Sequence, residues 1–234
     1  MSIQEVLEQF SSGSSRKRRS LIPSIEKNAN EIFALGKSVL EPFDQNGDDW
    51  SAGLIIQLIQ KHYPGQLTDF LDCDSNCWFN APSEKSINYA PLQDFLIKED
   101  FEQADRLTSS FLRELAGESA VQRGYVYYSE VKSMTDVDLL TIDRLWTAYS
   151  RGKFGFTVQS RLLKSLGGRY ELLWPRIGWK KEGVWTRYPK SFTWDIKAPE
   201  GHMPLINQLR GVRLMDAILN HPALVIRQQV KPSS

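Results

Sequence analysis

The stretch from Trp174 to Arg213, WPRIGWKKEGVWTRYPKSFTWDIKAPEGHMPLINQLRGVR, constrains the fold more than any other part of the chain. It holds four of the seven tryptophans, at 174, 179, 185 and 194, together with Tyr188 and Phe192, and prolines at 175, 189, 199 and 204 interrupt it. Proline removes a backbone donor and breaks helices, so this cannot be one regular helix. A long irregular segment inside a domain is either functional or disordered, and disordered segments are poor in aromatic residues. The pattern therefore predicts a structured loop. Eight Lys and Arg against three Asp and Glu set cations beside the rings. Flat apolar faces edged by positive charge suit a ligand that is planar and apolar across its face and anionic at its rim. Stacked nucleic-acid bases with their phosphates answer to that description, and so do tetrapyrroles with their propionates. Taken singly, each tryptophan is a core residue; the cluster followed by arginines points to a binding surface.

Charge narrows the choice. The formal net charge over 234 residues is +1, so no global field draws in nucleic acid and any electrostatic recognition is local. No run reaches the roughly 18 apolar residues of a membrane-spanning helix. The start, MSIQEVLEQF, has neither the apolar core of a secretory signal nor the acid-poor composition of a transit peptide. A cytoplasmic location is expected, with contact to a membrane surface left open. Two cysteines, Cys73 and Cys77, exclude a disulfide scaffold and fit a reducing compartment. Their CxxxC spacing shows only two candidate ligands, short of a zinc site, and no metal is expected.

Helical periodicity organises the rest. Ile3, Val6, Leu7 and Phe10 predict a helix over 1–10, and SSGSS after it reads as a flexible run. Arg16 to Arg19 reads as a solvated turn or first helical turn, with contact to nucleic acid or acidic lipid as the alternative. A helical pattern runs from Pro23 to Leu40, and DQNGDD over 44–49 is a turn. A calcium loop is excluded, because the twelfth position from Asp44 is Ile55 and not Glu. Ser51 is read as the cap of a helix that the Pro64-Gly65 pair ends, and a short helix spans Leu67 to Leu71. Residues 1–82 thus form a small helical bundle. In the second unit, 83–230, Leu92 to Leu115 reads as a helix pair. YVYYSEV at 125–131 is either a short strand or a helical turn. A helix capped by Asp136 or Asp138 runs to Ser150, and another runs from Thr157 to Gly167-Gly168. The glycines around Phe154 do not have phosphate-loop spacing. A terminal helix over Leu205 to Leu219 sets Asn207, Arg210 and Arg213 three apart on one flank. The expected fold is all-α with long irregular loops.

No catalytic constellation emerges from His62, His202 and His221. The last two lie close to prolines and suggest turns, with axial ligation of a haem iron as the alternative.

The string from Trp174 to Leu224 resembles the tetrapyrrole-binding domain of the genomes-uncoupled regulators of magnesium chelatase, cyanobacterial type. YAPLQDFL, FEQADRLT, DLLTIDRLW and GKFGFTVQSRL match the same domain in the same order, so the resemblance covers about Asn88 to Leu224. It implies a helical fold with a cupped surface for protoporphyrin IX and magnesium protoporphyrin IX. It implies a non-catalytic activator of magnesium chelatase in chlorophyll biosynthesis, acting as a monomer on the large porphyrin-binding subunit. Carried over by residue, the surface uses Trp185 and Tyr188, with Asn207, Arg210 and Arg213, and Tyr128 on the opposite wall. The sequence departs from the pattern at Tyr188, where a relative has tryptophan, and at Ser109, where it has arginine.

Overall fold

The side chain of Ser2 accepts the Glu5 amide while Glu5 reaches back to the Ser2 amide, and this reciprocal cap starts helix α1, Ile3–Ser12. In the computed structural model, residues 2–73, 77–206 and 212–229 are described. SSGSS is not a flexible run: α1 continues through Ser12, and Ser14 caps α2, Ser15–Lys27. Serine satisfies helix ends as readily as it loosens loops. The basic run is the first turn of α2, as expected, but it is not wholly solvated. Arg18 is 5% exposed, and its guanidinium grips both carboxylate oxygens of Asp49 at 2.6 and 3.0 Å and the Ser51 hydroxyl at 3.0 Å. Helix α3, Ala29–Leu35, follows, and Gly36–Leu40 forms a 3₁₀ turn.

Helix α4, Trp50–His62, starts from Asp49, whose carboxylate accepts the Ser51 amide; Ser51 is therefore inside the helix rather than its cap. Trp50 through Ile59 are all buried, as expected of a helix surrounded on all sides. Gln57 ties it inward, donating to the carbonyls of Leu96 at 2.9 Å and Tyr149 at 2.7 Å. After α5, Leu67–Leu71, the chain reaches α6, Ala90–Ile97, and α7, Phe101–Ala116, which Asp100 caps. Helix α8, Glu118–Arg123, is an added turn, and of 125–131 no strand forms: 125–127 are irregular and Tyr128–Ser133 is a 3₁₀ segment.

Helix α9, Asp136–Ala148, begins after Thr135 with no side-chain cap. Asp138 instead accepts hydrogen bonds from the Ser83, Thr135 and Tyr89 hydroxyls and from the Glu84 amide. Helix α10, Phe156–Ser165, is followed by α11, Tyr170–Arg176, and a hairpin of β1, Lys180–Lys181, and β2, Val184–Trp185. Two terminal helices, α12, Val212–Leu219, and α13, Pro222–Gln229, close the described chain. Leu205 and Ile206 are not helical, so the terminal helix does not begin where the periodicity places it. The all-α expectation holds, with one two-stranded hairpin among the described residues. Among those residues no helix is long and apolar enough to cross a membrane.

Candidate functional site

The tryptophans of the irregular stretch divide into two layers. Trp174 and Trp179 stack at 5.6 Å with their planes 8° apart, and both are buried. The Trp179 indole donates to the His202 carbonyl at 2.8 Å. Trp185 meets Trp174 at 5.5 Å with its plane tilted by 57°, yet it is 42% exposed. Its place follows from a tight turn: Glu182 and Gly183 both have positive φ, which brings Lys181 opposite Val184 and Lys180 opposite Trp185. The Lys180 ammonium sits 5.3 Å from the Trp185 ring. A rigid ring thus stands on a core platform with a cation beside it.

Tyr188 belongs to the same outer layer. It is 51% exposed and meets Phe192 and Trp194 at 6.2 and 5.9 Å. Partial burial raises its hydroxyl pKa, and the Asp105 carboxylate adds to the rise. That coupling places the loop beside α7.

Tyr128, 49% exposed, stands on the 3₁₀ segment. The guanidinium of Arg213, on the first turn of α12, lies 5.5 Å over its ring. Arg213 has no ion-pair partner among the described residues, whereas the nearby Arg123 is bound to Glu130 at 2.7 Å. Helix α12 packs on the 3₁₀ segment, and that segment packs on α7. Helix α7 therefore underlies both the Tyr188 side and the Tyr128 side. Asn207 and Arg210 lie outside the described residues.

Two groups on α7 escaped the sequence reading. Asp105 is 3% exposed and accepts the Leu205 amide at 2.6 Å. Burial pushes its carboxyl up to about 7, against the lowering effect of that hydrogen bond. Its signal was positional: Asp105 falls one turn after Phe101, one before Thr108 and two before Leu112 on the buried face. Arg113 is the other. It reaches back one turn to donate to the Ser109 hydroxyl at 3.0 Å, which brings a guanidinium to the position where Ser109 lacks one.

Two of the three histidines are buried, and His62 is exposed at the end of α4. His202 is buried, with Nδ1 2.6 Å from the Ile177 carbonyl and Nε2 accepting the Thr193 amide, and burial lowers its pKa. His221 is also buried, 3.7 Å from Asp136. Neither ring is presented to a ligand iron. Among the described residues no cluster of three His, Cys, Asp or Glu is placed to hold a metal. A cleft of about 420 Å³ opens between α2, α4 and α6, but no Trp, Tyr or Phe lines it, and its rim carries Glu26, Lys61, Lys98 and Glu99. A flat apolar ligand has nothing to stack on there, so the outer aromatic layer is the better candidate.

Comparison with known proteins agrees on one family. Residues 82–222 match the model described as GUN4-like. A Ycf53-like protein of Synechocystis is 51% identical over 168 residues, covering 72% of this chain and 67% of that protein. A chloroplastic protein of Arabidopsis thaliana named tetrapyrrole-binding protein is 36% identical, covering 56% of this chain and 53% of its own length. The structure of GUN4 from Chlamydomonas reinhardtii superposes with a TM-score of 0.59 at 36% identity, over 62% of this chain and 95% of that one. A helical fold of the same kind, a family match over more than half the chain and the same order of motifs lead to one assignment: the chain belongs to the GUN4-like family.

Proposed function

We propose that this chain binds tetrapyrroles, protoporphyrin IX and magnesium protoporphyrin IX in particular, and stimulates magnesium chelatase without catalysing a reaction itself. The observation that carries the reading is the outer aromatic layer: Trp185 and Tyr188 stand exposed beside buried rings, and Arg213, which has no ion-pair partner among the described residues, lies over the exposed Tyr128. Exposed large aromatics rimmed by cations mark a binding surface. The name of the Arabidopsis relative supports the ligand class.

In this reading the macrocycle stacks on Trp185 and Tyr188, with Tyr128 on the far wall. Arg213, with Arg210 and Asn207, holds the propionates through charge-assisted hydrogen bonds, which guanidinium makes bidentate. Burying a few hundred Å² of macrocycle at about 25 cal/mol per Å² yields several kcal/mol, partly offset by the entropy of association. Affinity on the order of micromolar or tighter follows. Residues 83–230 form the binding unit, the bundle over 1–82 accompanies it, and the large porphyrin-binding subunit of the chelatase is the partner.

Fluorescence-quenching titration with protoporphyrin tests the site. Trp185→Ala and Arg213→Ala are each expected to weaken binding about ten-fold, the scale of 1.4 kcal/mol, with an unchanged helical CD spectrum. Unchanged affinity in both variants would sink the assignment. Chelatase turnover measured with and without the protein tests the stimulation. A nucleic-acid binder on the same loop would lose affinity for oligonucleotides steeply with salt; pigment stacking loses far less.

A further inference from the structure

The basic run at 16–19 has no part in the site above, and the fold brings further cations to it. Arg18 is spent on Asp49, while Arg16, Lys17 and Arg19 stay exposed on α2. The turn after α9 meets this face from 132 positions away in the chain: the Arg19 guanidinium donates to the Arg151 carbonyl at 3.4 Å and lies 5.6 Å over the Trp50 ring. Lys153 stands close by, its ammonium donating to the carbonyls of Ile196 and Ala198 at 2.6 and 2.8 Å. Burial lowers the Lys153 pKa first, and the charges of Arg19 and Arg151 lower it further against the pull of Glu200 and Asp195. Cations thus crowd one another in a chain whose formal net charge is only +1. Among the described residues Glu26, 3.3 Å from Arg151, is the one carboxylate paired with Arg16, Lys17, Arg19, Arg151 or Lys153.

Two features set Arg151 apart. Its Nε is buried without an acceptor, and a buried donor left open is costly. Its backbone takes a φ of 57°, a conformation uncommon for a residue with a side chain, and such strain gathers at working sites. The same residue lines the cleft of about 420 Å³ between α2, α4 and α6, where buried Leu54, Leu58 and Ile97 meet the exposed Lys61 and Lys98, with Glu99 as an opposing charge. Through Arg151, a cationic face runs into a cleft with apolar walls. We propose that this junction of α2 with the turn after α9 is a docking surface for an acidic, extended segment of a protein partner, whose carboxylates pair with Arg16, Lys17, Arg19 and Arg151 while an apolar side chain enters the cleft.

The surroundings choose the occupant. Single-stranded nucleic acid needs exposed rings to stack on, and Trp50, the ring in this face, is 9% exposed beneath Arg18 and Arg19. A membrane surface takes up apolar side chains beside the charges, and among the described residues no exposed large hydrophobic residue lies on α2, α4, α6 or at 149–153. A flat layer of headgroups does not enter a cleft either. A peptide supplies acid and apolar side chains together, and its carboxylates form charge-assisted bonds with guanidinium. The inference stands apart from the pigment reading, because Trp185, Tyr188, Tyr128 and Arg213 play no part in it.

The test titrates the full chain at low salt against a fluorescein-labelled hexaglutamate peptide with a central leucine, read by anisotropy. A control peptide carries glutamine at every glutamate and the same label. The acidic probe is expected to bind at least about ten-fold more tightly than the control. Arg16→Glu and Arg19→Glu are each expected to weaken the acidic probe about five- to ten-fold, since like charges across an interface repel, and Arg151→Gln about three-fold through loss of one charged donor. Circular dichroism and the urea midpoint are expected to stay unchanged in Arg16→Glu and Arg19→Glu, whose replaced side chains are exposed. A probe whose leucine is exchanged for serine is expected to bind the parent more weakly. Equal binding of the acidic and glutamine peptides overturns the proposal, and so does acidic-probe affinity that survives charge reversal at both Arg16 and Arg19. Displacement of the probe by phosphatidylglycerol vesicles or by oligothymidylate, at a lower concentration of negative charge than the unlabelled peptide requires, also overturns it and assigns the face to lipid or to nucleic acid.

Discussion

Two buried aspartates show how the same side chain is used in opposite ways. At Asp138, burial works to raise the pKa, but three hydroxyls and the Glu84 amide surround the carboxylate and hold it below its usual value. A depressed carboxyl pKa contributes stability above the unfolded value of 3.8 that is lost as pH falls through the folded one. Asp105, with a pKa raised from 3.8 to about 7, has the reverse linkage. The native state binds the extra proton between those values, so stability declines as pH rises from about 4 to about 7. Asp138→Ala leaves several buried donors without an acceptor and is expected to cost roughly 2–4 kcal/mol. Asp105→Asn is expected to be neutral or stabilising by about 1–3 kcal/mol at pH 8, where the parent carries the full desolvation cost. Urea unfolding at pH 5 and pH 8 checks both. A strong loss of stability at pH 8 for Asp105→Asn would mean that the bond to the Leu205 amide outweighs the cost of burying the charge.

At the scale of the elements, α4 and α9 approach each other closely at Gly53. A Cβ on Gly53 would stand 2.2 Å from the Ala148 carbonyl oxygen and 2.8 Å from its carbon, both rigid backbone. Alanine normally favours a helix interior over glycine by about 1 kcal/mol. Here the clash outweighs that gain, and Gly53→Ala is expected to lower stability by roughly 2–3 kcal/mol through forced separation of the helices, read as a lower urea midpoint with little change in slope. Most such elements were legible in the sequence. The stripe Leu139, Ile142, Leu145, Trp146 and the Phe101–Leu115 face fix α9 and α7, because burial of one face imposes its period on the chain. Helix starts were less legible, since Asp49 and Ser51, or Asp138 and Thr135, are equally good acceptors two or three residues apart and only tertiary partners choose between them. The site was half legible. Rings and cations in one stretch announced a surface, but nothing in the spacing separates Trp174 and Trp179, which are buried, from Trp185, which is exposed. That division is made by the two-residue turn at Glu182-Gly183 and by the His202 carbonyl that fixes Trp179.

At the scale of the whole molecule, the N-terminal bundle is sewn to the rest by more than apolar contact. Arg227 of α13 bonds Asp143 of α9 at 2.8 Å and Asp48, ahead of α4, at 2.6 Å. Arg144 donates to the carbonyls of Gln45, Gly47 and Asn80, Thr141 to that of Pro82 and Gln93 to that of Phe79. The family match nevertheless begins at residue 82, and Trp185, Tyr188, Tyr128 and Arg213 all lie beyond it. A chain cut to 83–234 would uncover Ile97, Ala148 and Tyr149, each at most 2% exposed, and would leave Arg144 and Gln93 without these acceptors. It is expected to unfold at a lower urea concentration and to bind an apolar dye, because buried surface and unpaired polar groups both cost several kcal/mol. Its affinity for protoporphyrin should stay within about three-fold of the parent's, below the 1.4 kcal/mol that a ten-fold change represents. Charge reversal of the exposed Arg16 and Lys17 in the full chain should leave affinity unchanged as well, which separates loss of the bundle's charge from loss of its support. A ten-fold weaker complex in the charge-reversed chain, with its stability intact, would instead make the bundle part of the binding surface.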